Sequence, residues 1–271
     1  MLIRPATLLL TASLLCSAAG IPVENFNLGL TRPGVHIQPV LAGAVPEVTL
    51  DLVSVVGPAR LSEPAAPGHA VVWLVLSGQG RMSAKKHAYE VAGETILRAP
   101  QGWSWQIETT PGQTLHVLRI RRGLTPQDRA ELVKFPQNNA APHVRKFSEC
   151  EPYTEAIKSP KTTSRTLLPE NFVPRMALGT VETTGPDSVG LHSHPMLEQF
   201  FLGLEGNDIT VLADNDRANL TGFAILHIPL GSNHGAEVAE GKKLHYVWMD
   251  FFQTREGQEW LKMHKPIEPK P

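Results

Sequence analysis

His192-Ser193-His194-Pro195-Met196-Leu197-Glu198-Gln199 and, after an apolar run, Pro229-Leu230-Gly231-Ser232-Asn233-His234 are the two stretches on which the fold and the chemistry turn. Residues two apart in an extended segment point to one side, so His192 and His194 present two imidazoles to a single point. Pro195 interrupts ladder bonding and helps turn the chain, after which the next strand brings Glu198 or Gln199 beside them. On a regular strand those two face opposite ways, and a bulge would exchange Gln199 for Glu198. His234 follows a tight turn at the end of an apolar strand, from which a third imidazole can reach the same centre. Three neutral imidazoles and one oxygen leave positions open on a metal that takes five or six ligands. Alone, a His-x-His pair is more often exposed or structural. The amide nearby and the Pro-x-Gly-x-x-His downstream turn the reading toward metal.

Working outward, one pattern occurs twice: a strand ending in a Gly turn, an apolar run reaching a Pro-x-Gly turn, then another strand. The first copy runs through Ala70–Gly80, Gly93–Gly102 and Gln113–Arg121, the second through Glu198–Gly206, Gly222–Gly231 and Lys243–Phe252. Short β-rich runs between Gly, Pro, Asn and Asp turns read as antiparallel strands, giving an all-β class. Gly 22 and Pro 23 together make about 17% of the chain, against a usual total near 12%. Between the copies, Thr125-Pro126 before Gln127–Lys134 carries an N-cap, a first-turn Pro and an early acid, so it predicts a short linking helix. Pro136 to Lys161 has no sustained period and reads as connecting structure. Thr254 before Arg255–His264 predicts a short terminal helix, followed by a loose tail.

These motifs resemble the cupin superfamily, and the duplicated layout resembles the bicupins. Gly190, His192, His194, Gln199 and Gly206 match the first cupin motif; Gly222, Pro229, Gly231 and His234 match the second. The resemblance implies two jelly-roll β-barrels, at residues 43–122 and 165–252, joined by a linker at 123–164 and followed by helix and tail at 253–271. It implies one divalent transition metal, iron, manganese, zinc or nickel, held by His192, His194, Gln199 and His234. It also implies a possible homodimer. Two departures from the pattern matter. Gln199 stands where the usual ligand is a carboxylate, so a bound ion keeps its full local charge and favours an anionic oxygen ligand. In the first copy, Val71 stands where Gln199 sits and Trp105 where His234 sits, so that copy has no metal site. Its Trp73, Trp103 and Trp105 read as core or interface residues, or else as an aromatic platform.

Beside the motifs, alternation puts His245, Val247, Met249 and Phe251 on one face of their strand and Tyr246, Trp248 and Asp250 on the other; either face could line the barrel. His245 is then a candidate acid or base beside the metal, or a hydrogen-bonded structural histidine. Arg175 could clamp a substrate carboxylate, or form an interdomain salt bridge. Phe201, in phase with Gln199, would narrow the pocket, while His227 reads as outward or structural. Asn219-Leu220-Thr221 is a glycosylation sequon, meaningful in a secreted eukaryotic chain.

Composition narrows the function. Lys+Arg 25 against Asp+Glu 26 gives a net charge of −1, without the field that gathers nucleic acid or an anionic membrane. No apolar run after the first residues approaches the ~20 needed to span a bilayer. Residues 1–20, with Arg4, an apolar stretch from Ala6 to Cys16 and a small-residue end, have the layout of a secretory signal, predicting a secreted or periplasmic protein. Its removal would take Cys16 and leave Cys150 without an intramolecular disulfide partner. The expectation is an exported metal enzyme with isomerase, lyase or dioxygenase chemistry on a small anionic, oxygen-rich molecule. A non-enzymatic protein that binds a sugar acid through its metal is the alternative.

Overall fold

The computed structural model describes residues 20–263, with side chains to residue 259. Residues 1–19 of the expected leader and the tail beyond Met263 lie outside the described residues. Those described form twenty strands and two short α-helices, a mostly β chain as expected. Both predicted helices are present. Pro126–Lys134 starts with a capping box in which Thr125 and Asp128 each accept the other's backbone N–H. Arg255–Met263 starts at Thr254, whose Oγ1 accepts from Gly257 N at 3.2 Å. No helix among the described residues is long and apolar enough to cross a membrane.

The strands lie in three sheets. In the amino-terminal half, Thr95–Arg98, His69–Ala84, Thr114–Gly123, Val48–Val56 and Gly34–Val40 are neighbours in that order. In the carboxyl-terminal half, Ala224–Ile228, Leu197–Gly203, Lys243–Phe252, Met176–Thr184 and Thr163–Leu168 follow the same order. A separate four-stranded sheet, Asp187–His192, His234–Val238, Asp208–Ala213 and Asp216–Thr221, covers the second of these. The chain takes its sharp turns at Gly78 and Gly206, whose φ of 78° and 77° is open to glycine at little cost. At the first the strand bends and continues to Ala84; at the second it breaks, and pairing resumes at Asp208.

Two expectations need correction. Hydrogen bonding leaves the sheets open, so they are not closed barrels. In the carboxyl-terminal half two separately bonded sheets instead share an interior, with Val181, Phe201 and Tyr246 packed against Val189, Val211 and Ala236. The stretch read as connecting structure is also partly built into the sheets. His143–Lys146 extends the first sheet beside Thr95–Arg98, and Glu151–Tyr153 extends the second beside Thr163–Leu168. Local periodicity could not show this, because each strand is only three or four residues long.

Central strands are buried on both faces, which is why they read as continuous apolar runs. Along His69–Ala84, Val71, Trp73 and Val75 face the interior of their own half, while Val72, Leu74 and Leu76 face the other half. Lys243–Phe252 does likewise: Leu244 and Tyr246 face their own interior, while Val247, Met249 and Phe251 meet the first half. The halves therefore share a third core, which Phe147 and Cys150 help to fill.

Candidate metal centre

Each donor is set by the fold around it. His192 closes the strand Asp187–His192 and lies across from His234, the first residue of His234–Val238. A register shift between Val189 and His192 swings the strand end. His194 lies past that strand end, in the extended link to Leu197–Gly203, rather than two residues along one regular strand as the spacing had suggested. Gly231 N donates to His194 O at 3.3 Å, tying this link to the Pro-x-Gly turn. Asn233 N donates to Asp214 Oδ1 at 2.9 Å and fixes the last step before His234.

The three imidazoles meet. One ring nitrogen from each of His192, His194 and His234 lies within 4.8 Å of the others, and two donors on one ion at ~2.1 Å stand at most ~4.2 Å apart. Closure thus needs only a small side-chain adjustment. No other such group of His, Cys, Asp or Glu is found among the described residues. His192 Nδ1 donates to Gly190 O at 2.8 Å and His234 Nδ1 to Ser232 O at 3.0 Å, which leaves Nε2 of each with a lone pair to offer. Burial, then the neighbouring His192, pushes His234 down to about 4, so it is neutral at pH 7.

Gln199 lines the cavity with His192 and His194 and is the residue that would supply an oxygen. Its Nε2 donates to Asp250 Oδ1 at 2.6 Å, across the strand pair that sets the two residues opposite each other. Both are buried, and burial raises the Asp250 carboxyl to about 7 although the Gln199 N–H opposes it. Gln199 Oε1 and His234 Nε2 are buried acceptors with no hydrogen-bond partner in the protein, an arrangement that costs ~1–3 kcal/mol per group unless something satisfies it. A divalent cation satisfies both, so the residues fit the ion that the spacing predicted.

A cavity of about 670 Å³ opens on His192, His194 and Gln199. Phe201, Tyr246 and Trp248 form one wall, and Tyr153, at the end of the strand Glu151–Tyr153, lines it together with Glu155 and Lys158 from the segment that follows. Phe201 and Tyr246 pack with their rings tilted by 40° and centroids 4.8 Å apart. Trp248 lies opposite Gly179, where a Cβ would overlap the indole, so this glycine is what admits the ring. Lys158 is bound to Glu155 and donates to Ser164 Oγ at 3.0 Å. The sequence reading missed Tyr153, Glu155 and Lys158, since no periodicity marks their segment. It found the Tyr246, Trp248 and Asp250 face without deciding that this face looks inward.

Other expected site residues lie elsewhere. His245 points to the opposite face, toward the other half, with Nδ1 3.7 Å from Glu94 Oε1 and 3.1 Å from Lys243 Nζ. Strand alternation thus removes it as an acid or base beside the metal. Arg175 does not line the cavity. Its guanidinium meets Asp128 at 2.7 Å and Glu47 at 3.0 Å, fastening the linking helix to the second half, so the interdomain salt bridge is the observed role. Glu198 pairs with His227 at 2.9 Å and is not a donor to the centre. In the first half, Trp73 and Trp105 are fully buried core residues, while half-buried Trp103 carries Lys85 Nζ 3.9 Å from its ring centre.

With this geometry in view, comparison with solved structures decides the architecture. A cupin 2 conserved barrel domain protein from Leptotrichia buccalis is 14% identical, covering 88% of this chain and 99% of that one, with a TM-score of 0.60. The fold is cupin-type. An oxalate decarboxylase from Lactobacillus farciminis, solved as a formate complex, is 13% identical over 89% of this chain and 90% of that one, TM-score 0.62. A 7S globulin from Momordica charantia is 12% identical over 86% and 82%, TM-score 0.58. No protein-family model matches the sequence, and no curated protein matches it. The cupin-type fold thus holds both an enzyme and a globulin among these neighbours, and the reading of function must come from the site.

Proposed function

We propose that this chain is an exported, metal-dependent bicupin enzyme whose two jelly-roll units retain one working centre, in the carboxyl-terminal half. The substrate is a small anionic, oxygen-rich molecule, and the chemistry is isomerase, lyase or dioxygenase in type. One observation carries the reading: three histidine nitrogens lie within 4.8 Å of one another, beside a cavity of about 670 Å³ that His192, His194 and Gln199 line. The export part rests on the layout of residues 1–20. A possible homodimer rests on the cupin resemblance.

A divalent ion in this site supplies Lewis acidity and open coordination positions for substrate oxygens. The chain contributes the remainder. Four uncharged donors do not offset the ion's charge, which selects for an anionic ligand. Two of the three Lys158 N–H bonds go to Glu155 and Ser164, and the third is left for a substrate oxygen. Among the cavity-lining groups, Glu155 and Asp250 are carboxyls able to take or give a proton, while burial pushes Tyr153 up and holds its proton. Phe201, Tyr246 and Trp248 exclude water from one side.

The absence of both His245 and Arg175 from the cavity favours a second reading, a non-enzymatic protein that holds a sugar acid through its metal. One experiment separates the two. Purified protein should carry close to one transition metal per chain and lose it in His194→Ala. The metal-loaded protein is then incubated with uronates, keto acids and catechols, with and without air. Product formation supports the enzyme, and saturable binding without product supports the binder. Absence of metal in the purified protein, with none taken up on titration, rejects both.

A further inference from the structure

The amide of Gln199 can face the histidines with either its oxygen or its nitrogen, and only the oxygen is a metal donor. Asp250 decides between them. The two residues sit opposite one another on adjacent strands, both buried, with Gln199 Nε2 2.6 Å from Asp250 Oδ1. In its ionised form Asp250 only accepts, so it takes the amide N–H and turns Oε1 away from itself, into the space where that oxygen is buried without a protein partner. At the matching register of the other half stand Val71 and Arg121, which form no such pair. The arrangement therefore belongs to the half with the histidines.

Resting on the metal reading above, we infer that Asp250 is a positioning residue: it holds the Gln199 amide with its oxygen toward the ion and so completes a ligand set of four neutral groups. Residues that orient a ligand in this way change metal affinity by about 10–100-fold when replaced.

The test is a cycle of cobalt(II) titrations on the full chain, with affinity read by competition against a chelator and geometry by the visible absorption of the ion. Asp250→Asn should bind cobalt about 10–100-fold more weakly than the parent. In a Gln199→Leu background the same exchange should change affinity by less than about twofold, because the group it acts through is gone. An equal loss in both backgrounds would mean that Asp250 acts by charge alone, and would overturn the inference, as would parent-like binding by Asp250→Asn. Should Asp250→Asn fail to fold, as judged by metal-free melting, the paired exchange Gln199→Glu with Asp250→Asn replaces it. That pair keeps an N–H to carboxylate bond with donor and acceptor reversed, so parent-like affinity and spectrum support the inference and weak binding overturns it. If the parent itself binds no cobalt, the metal reading fails, and this inference with it.

Discussion

The interiors of the two halves are built on the same strand registers and end in opposite chemistry. In the carboxyl-terminal half His192 faces His234, Gln199 faces Asp250 and Gly179 faces Trp248. At the corresponding pairs of the amino-terminal half stand Glu63 and Trp105, Val71 and Arg121, Asp51 and Arg119. There the charges satisfy one another. Arg119 meets Glu63 at 2.5 Å and Asp51 at 2.9 Å, with Arg121 3.5 Å from Asp51 and 3.7 Å from Glu63. The buried groups left over differ as well. Trp73 Nε1 and Trp105 Nε1 are donors in the first half, where the Thr109 hydroxyl is also unpartnered, whereas Gln199 Oε1 and His234 Nε2 are acceptors in the second. Only acceptors can ligate a cation. About six inward positions thus separate an interior whose buried charges pair with one another from one that gathers three imidazoles.

Four substitutions probe that contrast. Arg119→Met leaves Asp51 and Glu63 buried with Arg121 as their remaining cation, so urea unfolding should show a loss of about 3–5 kcal/mol. Cobalt affinity should stay within about twofold. A loss below about 1 kcal/mol would mean that the first half does not depend on its ion network. His234→Ala should show the reverse pattern. Cobalt binding should fall at least about 100-fold, equivalent to ~2.7 kcal/mol, while the metal-free protein keeps its stability to within about 1 kcal/mol by urea unfolding.

Next in size is Gly179→Ala, which forces a methyl into the Trp248 ring and should cost about 1–3 kcal/mol. Tryptophan emission should shift as the indole moves, and an unchanged spectrum would show that Trp248 is not held by this glycine. The smallest effect concerns the joint between halves. Burial alone would raise the Asp128 carboxyl, but hydrogen bonds from Arg175 and Thr125 outweigh it and hold the group below its ordinary value. Its contribution is therefore complete above the unfolded value of about 4 and fades as pH falls below that. Asp128→Asn should be less stable than the parent at pH 6, and the gap should narrow toward pH 3. A gap that widens on acidification would reverse the assignment.

The parts of the site legible in the sequence were those fixed by short-range geometry. The spacing of His192, His194 and Gln199, with the Pro-x-Gly turn before His234, is local; the three imidazoles converge, and Gln199 lines the cavity beside them. Thr125-Pro126 specified a helix start for the same reason. What escaped depends on long-range register. Strand alternation defined two faces for residues 245–251 but could not say which looked inward, and so His245 was drawn to the wrong side. Asp250 became a partner of Gln199 only through a pairing 51 residues apart in the chain. Lys158 reaches the cavity because its backbone bridges to Val189, a contact that no pattern within residues 136–161 could announce. Closed barrels were expected from the resemblance; the hydrogen bonding that separates the sheets is a matter of geometry between strands.

The core shared by the halves has a consequence for how the site survives dilution. One broad side of the carboxyl-terminal sheet, with Phe200, Leu202, Val247, Met249 and Phe251, is hidden by Val72, Leu74, Leu118 and Ile120 of the other half. A lone carboxyl-terminal fragment would have to recruit a separate molecule to cover that side. Covalent tethering instead supplies the cover at an effective concentration on the order of millimolar, so the half without the histidine cluster acts as a permanently attached subunit, keeping the other assembled however scarce the protein becomes.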